Sequence, residues 1–418
     1  MSKKITLAFL SLVLLCTMTI NFSGCASKVQ ATNLMEQVTP NKVSALDDLS
    51  AHNTAMTDFA VRLFQECVEE DENTLISPLS VLSALAMTAN GAQEETLQQM
   101  EAVFGMTAEE LNAYLYSYMQ NLSRGEGYKL NLANSIWFND HNHFAVNQDF
   151  LQTNADYYGA DIYKAPFDKQ TLRDINNWVK QNTDGMIPEI LDQIPPAAMM
   201  YLVNALAFDA EWSEFYETHQ VKDGEFKKED GTMQNAKFMY GSEGTYFEDD
   251  QAIGFMKRYK GGKYAFVAML PKEGVPVSEY VASLDGASMN ELLSNCQYAT
   301  VYTSIPKFET EYKVEMSKIL KSMGMIDAFD EDNADFDGIG TFTGGNIYIS
   351  RVLHKTVISV GEKGTKAGAA TVVEMKGEGA AMPTEPKEVY LDRPFVYMLI
   401  DCENNVPFFI GTMMDIQD

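Results

Sequence analysis

The chain has 418 residues, of which 46% are hydrophobic and 11% aromatic, so it holds enough apolar material for a large core and is not intrinsically disordered as a whole. Its formal net charge of −28 at pH 7 disfavours nucleic acids, heparin-like polyanions and anionic lipids as partners, because these need basic patches. The five cysteines show neither a CxxC motif nor a metal-like spacing, which favours free thiols over a disulfide framework.

Residues 1–24 have the pattern of a secretory signal peptide. Two lysines give them a basic start, and residues 5–20 form an almost uninterrupted apolar run that is too short for a good membrane span. The run is followed by Phe-Ser-Gly-Cys at 22–25, which resembles the bacterial lipobox, although Phe22 stands where leucine is usual. The alternative is ordinary signal cleavage that leaves Cys25 with a free thiol.

Lipidation of Cys25 is the hypothesis we prefer, because a lone exposed thiol would be a liability. It would anchor the protein through its acyl chains, at ~0.8 kcal/mol per buried CH₂, and we expect an extracellular protein held at the cell surface. Residues 25–45 are polar without apolar periodicity, which predicts a tether. Residues 46–418 show no second linker and no repeat, so one large domain is expected.

Along the chain, apolar residues at helical spacing are concentrated in the first half of this domain. The predicted helices cover residues 55–68, 77–90, 95–104, 172–181 and 312–323. Pro78 lies near the first turn of the second helix, a position that suits proline. The last two predicted helices end before Gly185 and Gly324 respectively.

Strand-like segments dominate the second half. The predicted strands cover residues 130–138, 199–208, 264–270, 298–308, 347–360, 389–401 and 407–413. The second of these is apolar except for Asn204, which is typical of a strand that is buried on both faces. Early helices and late strands indicate an α+β fold with a large mixed sheet.

The segment between Glu362 and Glu385 contains five alanines and four glycines, and we predict an exposed loop. Its first half nevertheless alternates with the period of a strand. One set of alternating residues is uncharged: Thr365, Ala367, Ala369, Thr371, Val373 and Met375. The other set carries every charge: Lys366, Gly368, Ala370, Val372, Glu374 and Lys376. The segment can therefore be a loop in one state and a half-buried strand in another, unless the alternation is accidental.

Ten short motifs resemble those of the serpin family in order and spacing, over residues 50–418. They lie at 73–80 (NTLISPLS), 132–138, 175–187, 202–208 (LVNALAF), 305–308 (IPKF), 336–339 (FDGI), 354–355, 361–365 (GEKGT), 393–395 (RPF) and 407–411 (PFFIG). Each motif is weak alone, but their joint order is highly specific. The resemblance implies the α+β serpin fold, with a large mixed β-sheet, helices and an exposed reactive-centre loop at about 362–386.

The resemblance also implies the activity. A serpin is a suicide inhibitor that is acylated by a serine or cysteine protease in its reactive-centre loop, inserts the cleaved loop as a strand, and keeps the protease covalently bound. We therefore expect a target protease as the partner, a monomer, no catalytic residue of its own, no cofactor and no metal. Carried over by motif, the hinge of the loop would contain Glu362, Gly364, Thr365, Ala367, Ala369, Ala370 and Thr371.

A second group of residues matches the family's structural positions. Ser80, Asn204 and His354 match a buried polar cluster beneath the sheet, while Lys307, Glu362 and Trp212 match residues at its top. Ser80 and His354 alone could suggest a nucleophile and its base, but no nucleophile elbow surrounds Ser80. A hydrogen-bonded structural cluster is the better interpretation.

The bond that a protease would cut is left open between several positions. Counting the family's usual loop length from Glu362 gives Glu378-Gly379, whereas counting back from Pro394 gives a bond near Pro383. The candidates are Glu378, Gly379, Ala380, Ala381 and Met382. Glu378 suits a Glu-specific protease, and the three apolar residues suit elastase-like or subtilisin-like enzymes, which we favour. Cleavage after Lys376 would suit a trypsin-like enzyme but would shorten the insertable strand.

Three alternatives compete with this hypothesis. A non-inhibitory serpin that serves as a cell-surface binding protein would have bulky or charged residues on the inserting face, where this chain has threonine and alanine. A hydrolase would need HExxH or GxSxG, and the sequence contains neither. His141 and His143 could form half of a metal site, but no third ligand is apparent, and an exposed loop is the better interpretation.

Overall fold

The computed structural model describes residues 29–122, 127–140, 144–195, 198–343, 345–365 and 385–416. In these ranges two large β-sheets and most of the helices contribute to one large hydrophobic cluster, and a second, smaller cluster forms around Trp137, Trp178 and Tyr201. Within the same ranges, no helix has the length and apolar character needed to cross a membrane.

Six of the nine α-helices in the described ranges lie before residue 200. Their bounds are α1 Ser50–Cys67, α2 Pro78–Ala89, α3 Glu94–Phe104, α4 Ala108–Asn121, α5 Gln148–Tyr158, α6 Lys169–Asn182, α7 Val277–Ser283, α8 Gly286–Ser294 and α9 Ser317–Ser322. Helix α2 is buried along its whole length and starts where the Ser77 side chain caps the Ser80 backbone N–H. It lies against the middle of the large sheet, in contact with β3 Tyr128–Asn139 and β6 Met200–Glu211.

Sixteen further strands occur in the described ranges. Their bounds are β1 Thr32–Asn33, β2 Thr74–Ile76, β4 Ala145–Val146, β5 Asp161–Ala165, β7 Val221–Lys227, β8 Met233–Glu248, β9 Ala252–Arg258, β10 Tyr264–Pro271, β11 Gln297–Pro306, β12 Phe308–Glu315, β13 Gly340–Thr341, β14 Arg351–Gly361, β15 Gly364–Thr365, β16 Lys387–Tyr390, β17 Phe395–Asp401 and β18 Val406–Met413. The second sheet has the order β16-β11-β8-β9-β10-β17-β18-β2, with β7 beside β8.

The large sheet has the order β1-β5-β3-β6-β15-β14-β12 and is mixed. At one end of its centre, residues 201–205 of β6 pair directly and in parallel with residues 351–355 of β14. At the other end, β15 lies between the same two strands. Among the described residues, direct pairing of β6 with β14 stops at Ala205 and Lys355. The two central strands are thus closed at one end and held apart at the other.

The segment at 29–46 differs from the predicted tether. Strand β1 pairs antiparallel with β5 and covers the edge of the large sheet, which protects an otherwise open edge. The backbone N–H groups of Gln30 and Ala31 both donate to Asp174 Oδ2 at 2.9 Å. Further along, the Leu46 N–H donates to Ser117 Oγ at 2.7 Å. From residue 29 onward the chain is therefore attached to the domain rather than free of it.

Two other predicted elements also differ. The helix predicted over 312–323 begins only at Ser317, because residues 308–315 alternate in exposure and pair with β14. The strand predicted over 389–401 is two strands, β16 and β17, separated by a turn that contains Pro394. Proline has no N–H to donate and so interrupts the ladder.

Candidate hinge site between two strands of the large sheet

The chain turns back immediately after β14 and places two residues inside the large sheet. Gly364 and Thr365 form β15, which pairs antiparallel with β14 on one side and with β6 on the other. The turn between β14 and β15 consists of Glu362 and Lys363. The first residues after the turn are thus already a strand, and Thr365 is 1% exposed.

Gly364 is the residue that makes this turn possible. Its φ is +149°, a conformation that side chains rarely adopt. A Cβ at this position would also overlap the backbone carbonyl of Ala210 on β6. Gly361, on the other side of the turn, has open space around its Cα instead. Of these two positions, only position 364 requires glycine.

Trp212 and Tyr259 hold the turn from beneath. The Trp212 indole Nε1–H donates to the Gly361 carbonyl at 2.8 Å, and its backbone N–H donates to the Lys363 carbonyl at 2.9 Å. The two rings stack with centroids 4.4 Å apart. The Tyr259 hydroxyl lies 2.5 Å from Thr365 Oγ1 in a fully buried hydrogen bond. Burial raises the pKa of Tyr259 far above its usual value, so the phenol stays neutral.

An ion pair closes the outer side of the turn. Lys307 Nζ lies 2.8 Å from Glu362 Oε1, and the two side chains are 35% and 37% exposed. Burial is the largest single influence and raises the pKa of the Glu362 carboxyl, but the hydrogen bond from Lys307, a backbone hydrogen bond and the charge of Lys307 together lower this pKa below its usual value. Because water screens such a pair, its contribution to stability is about 1 kcal/mol or less. An open cleft of about 1090 Å³ lies beside it.

Beneath the closed end of the sheet lies a polar cluster of Ser77, Ser80, Asn204 and His354. The Ser80 hydroxyl donates to Asn204 Oδ1 at 3.1 Å, and His354 Nδ1 lies 2.6 Å from the same oxygen. His354 Nε2 accepts from the Ser77 backbone N–H at 3.1 Å, so the proton of the neutral ring is on Nδ1. Burial lowers the pKa of His354 to about 3, and the ring is neutral at physiological pH.

This cluster cannot act as a catalytic pair. Ser80 and His354 both bond to Asn204 rather than to each other. Both side chains are buried, at 0% and 1% exposure, and no substrate can reach them. Because Asn204 is on β6 and His354 is on β14, their bond instead joins the two strands at the closed end.

The other predicted site residues lie outside the described residues. They are Cys25, His141, His143, Ala367, Ala369, Ala370, Thr371, Glu378, Gly379, Ala380, Ala381 and Met382. The described part of the site therefore consists of the first hinge residues, up to Thr365, and the residues beneath the sheet.

A family model described as Serpin (serine protease inhibitor) matches residues 54–416. The chain belongs to the serpin family. Members of this family are mostly protease inhibitors rather than catalytic enzymes and typically act on target proteases. The identified fold is the α+β serpin fold, as the sequence motifs implied.

Solved structures of a thermophilic serpin, tengpin, are similar to this chain. The native state has a TM-score of 0.88 and 48% identity, and it covers 93% of this chain and 100% of that one. The latent state of tengpin has a TM-score of 0.78 at 45% identity, over 90% of this chain and 100% of that one. The described conformation is thus more similar to the native state than to the latent state.

Among curated proteins, leukocyte elastase inhibitor A of Mus musculus is 29% identical over 88% of this chain and 99% of its own length. An uncharacterized serpin-like protein of Thermococcus kodakarensis is also 29% identical, over 87% of this chain and 85% of that protein.

Tyr259 is a residue of the site that the sequence analysis did not identify. It stands in Arg-Tyr-Lys-Gly-Gly at 258–262, which has neither a motif nor a strand-like alternation. Its role depends on the stacked Trp212 ring and the buried Thr365 hydroxyl. Both contacts are formed across the fold and leave no local pattern.

Proposed function

We propose that this protein is a single-use inhibitor of serine or cysteine proteases, which traps its target by inserting its cleaved loop as a strand of the large sheet. One observation carries the proposal. The first two residues after the turn already lie between β6 and β14 as β15, while these strands separate only beyond Ala205 and Lys355. The next loop residues can extend β15 by parting the remaining pairs.

The register of β15 predicts which loop residues would be buried. In an antiparallel ladder the numbers of paired residues have a constant sum, so Thr365 opposite Val360 continues as Ala367 opposite Ile358. On the other side Ala367 would come beside Phe208. Phe208 and Ile358 are each 2% exposed, and only a small apolar side chain fits between them without repacking.

The same register brings Thr371 between Asn204 and His354. These are the residues whose bond joins β6 to β14 at the closed end. Asn204 Nδ2 is buried and has no hydrogen-bond partner among the described residues. The Thr371 hydroxyl could accept from it, so the inserted strand would supply an acceptor to the cluster that it separates.

The outward set of loop residues would meet complementary charges. Lys366 would lie beside Asp209 on β6, and Glu374 would lie beside Arg351 on β14, by continuing the ladders at Gly364–Glu211 and Thr365–Val360. Lys366 stands where an acidic residue is common in the family, and in this register it would have the acidic side chain of Asp209 beside it.

The length of β6 sets the length of the insertion. β6 has 12 residues, which pair in this register with residues 364–375. At ~3.3 Å per residue, full insertion would place residue 375 on the order of 36 Å from residue 364 along the sheet. A protease that is attached beyond residue 375 would be carried to the opposite end of the molecule.

The covalent step uses the protease's own chemistry. Its nucleophilic oxygen or sulfur attacks the carbonyl carbon of the reactive bond, the peptide C–N bond breaks, and the new amino terminus leaves after taking up a proton. An ester or thioester remains. Insertion before water attacks this bond would leave the protease attached, and its catalytic site would be distorted.

The favoured targets are elastase-like and subtilisin-like proteases, because Ala380, Ala381 and Met382 suit pockets for small or medium apolar side chains. These residues, like Lys376, follow residue 375, so cleavage after any of them permits full insertion and the length of β6 does not disfavour cleavage after Lys376. We also propose that Cys25 carries a lipid anchor at the cell surface. Mass spectrometry of the amino-terminal peptide tests this, because an unmodified thiol or cleavage elsewhere contradicts it.

The experiment that tests inhibition mixes the purified protein with elastase, subtilisin, trypsin and a Glu-specific protease. We expect at least one complex that resists denaturation on a gel, and the mass of the released peptide identifies the reactive bond. A protease whose nucleophile has been removed is the matched control and should form no such complex. Cleavage by every protease without any complex contradicts the proposal and favours a non-inhibitory serpin.

A further inference from the structure

Helix α6 carries a row of basic side chains on the side that faces away from the large sheet. Its buried side chains belong to the smaller hydrophobic cluster, together with residues of β3, β6 and β14. Its exposed charged side chains are Lys169, Arg173 and Lys180. Steps of four and seven residues place these three within about 40° of one another around the helix and spread them over roughly 16 Å. We name these three residues the basic stripe.

The sign of the basic stripe is opposite to that of the chain as a whole. The net charge of the chain is −28, whereas every exposed charge on α6 is positive. One exposed carboxylate, Asp168, caps the helix by accepting the N–H groups of Gln170 and Thr171. Arg173 Nε–H donates to the neutral amide oxygen of Gln170 at 3.2 Å. Three cations and one carboxylate therefore leave this surface with a net positive charge.

The amino-terminal segment is fixed to the same helix. The N–H groups of Gln30 and Ala31 donate to Asp174, which is 1% exposed and directly follows Arg173 in the chain. Cys25 precedes Gln30 by five positions, which span at most ~18 Å of extended chain. A lipid on Cys25 would therefore hold the first turns of α6 close to the membrane surface.

An anionic membrane attracts a basic stripe only at short range. Each basic side chain near such a surface strengthens the attraction by a factor of about five, and the effect falls off within a Debye length of ~8 Å. The acidic chain as a whole is repelled by the same surface, so the stripe alone would not recruit the protein. The anchor would supply the proximity, and the stripe would decide which side of the domain turns to the bilayer.

We propose that the basic stripe of α6 is the membrane-facing surface of the anchored protein, and that it contacts the phosphate groups of anionic lipids. This inference rests on the proposed lipid anchor at Cys25 and is independent of loop insertion. The charge complementarity and the short chain between Cys25 and Gln30 both point to this side of the domain.

The same arrangement keeps the hinge away from the point of attachment. Thr32 pairs with Lys164, in the row of the large sheet that contains Met200. Gly364 pairs with Glu211 at the other end of β6. At ~3.3 Å per residue, these two rows are on the order of 36 Å apart. A protease could therefore approach the hinge end of the sheet while the attached end stays at the membrane.

The test measures chemical acylation of lysine side chains in the full, lipid-modified chain on phosphatidylcholine vesicles with and without phosphatidylglycerol. The mass of the amino-terminal peptide first establishes that Cys25 carries acyl chains. We expect Lys169 and Lys180 to react at least about threefold more slowly when phosphatidylglycerol is present. Lys318, which is exposed on α9, should react equally on both vesicles. An ionic strength of ~1 M, which shortens the Debye length to ~3 Å, should remove the difference.

Arg173→Glu reverses the central charge of the basic stripe and leaves both reporter lysines in place. It removes one attraction and adds one repulsion, so the oriented population should fall by about 30-fold. Lys169 and Lys180 should then react as they do on phosphatidylcholine alone. Lys318→Glu is the matched control, because it makes the same change of charge on α9, which packs against α1. In this control Lys169 and Lys180 should stay protected.

Three results overturn the proposal. If Cys25 is acylated but Lys169 and Lys180 react at the same rate with and without phosphatidylglycerol, the stripe does not face the membrane and the anchor stands. Equal protection of Lys169, Lys180 and Lys318 shows that no particular side of the domain turns to the bilayer. An unmodified Cys25 removes the anchor and this inference together, and leaves loop insertion to be judged by the protease assay.

Discussion

Replacing Ala367 with arginine perturbs loop insertion at one defined point. In the register of β15, position 367 lies between Phe208 and Ile358, each 2% exposed. A buried charge without a partner costs about 3–5 kcal/mol. If about half of this cost is present in the transition state for insertion, insertion slows by roughly 10- to 70-fold. Attack of water on the acyl bond does not slow, so the variant should be consumed as a substrate.

The assay is the number of inhibitor molecules that are consumed for each protease molecule trapped. We expect this stoichiometry to rise at least tenfold for Ala367→Arg, with cleaved inhibitor in place of the covalent complex on a denaturing gel. Lys366→Arg is the matched control, because it places the same side chain one residue earlier, on the outward face beside Asp209. If Lys366→Arg became a substrate and Ala367→Arg stayed an inhibitor, position 366 would lie on the buried face and position 367 on the outward face. That result would refute the register.

Four further predictions concern the site. Cleavage of the loop should raise the thermal midpoint by about 10 °C or more, and an unchanged midpoint would argue against insertion. Because His354 has a pKa of about 3 when folded and 6.5 when exposed, the unfolded chain alone takes up a proton between these values. Stability should therefore fall by about 1.4 kcal/mol per pH unit as the pH drops below 6.5, and His354→Gln should remove this component from urea-unfolding titrations. Gly364→Ala should lower the thermal midpoint by several degrees because of its φ and its contact with β6, whereas Gly361→Ala should leave it unchanged; equal shifts would contradict the turn geometry. A double-mutant cycle of Lys307→Ala with Glu362→Ala should give a coupling of about 1 kcal/mol or less that shrinks at high salt, and a larger, salt-independent coupling would contradict a solvent-screened pair.

The sequence predicted those parts of the fold that depend on local pattern or on family motifs. The helix at Pro78–Ala89 and the strand at Tyr264–Pro271 lie within one or two residues of their predicted bounds, because each has a clear period and an end signal. The predicted helix at 312–323 is wrong in its first half, since residues up to Glu315 are held in a strand by pairing with β14. Cross-strand pairing with β14 makes this segment a strand, although its apolar residues have helical spacing.

The amino-terminal segment shows a different limit of sequence analysis. Residues 29–46 are polar and lack periodicity, so they indicate a tether. Their attachment comes from backbone N–H groups that donate to side chains elsewhere, such as Asp174 and Ser117. Backbone donors are present in every segment, and the acceptors are more than 70 positions away. Only the folded arrangement of α4 and α6 brings the acceptors to this segment.

The contact between Asn204 and His354 must break before the loop can insert between β6 and β14. Insertion must separate the five residue pairs between β6 and β14, including the contact of Asn204 with His354. In return, the loop would form an antiparallel ladder on each side over up to the 12 residues of β6, so the inserted sheet gains hydrogen bonds. We therefore expect the two new ladders to outweigh the five pairs that insertion separates, and opening to be favourable only when the loop is free to insert. An uncut loop is joined to β16 at Lys387, and cleavage removes this constraint, so we expect cleavage rather than binding alone to trigger insertion.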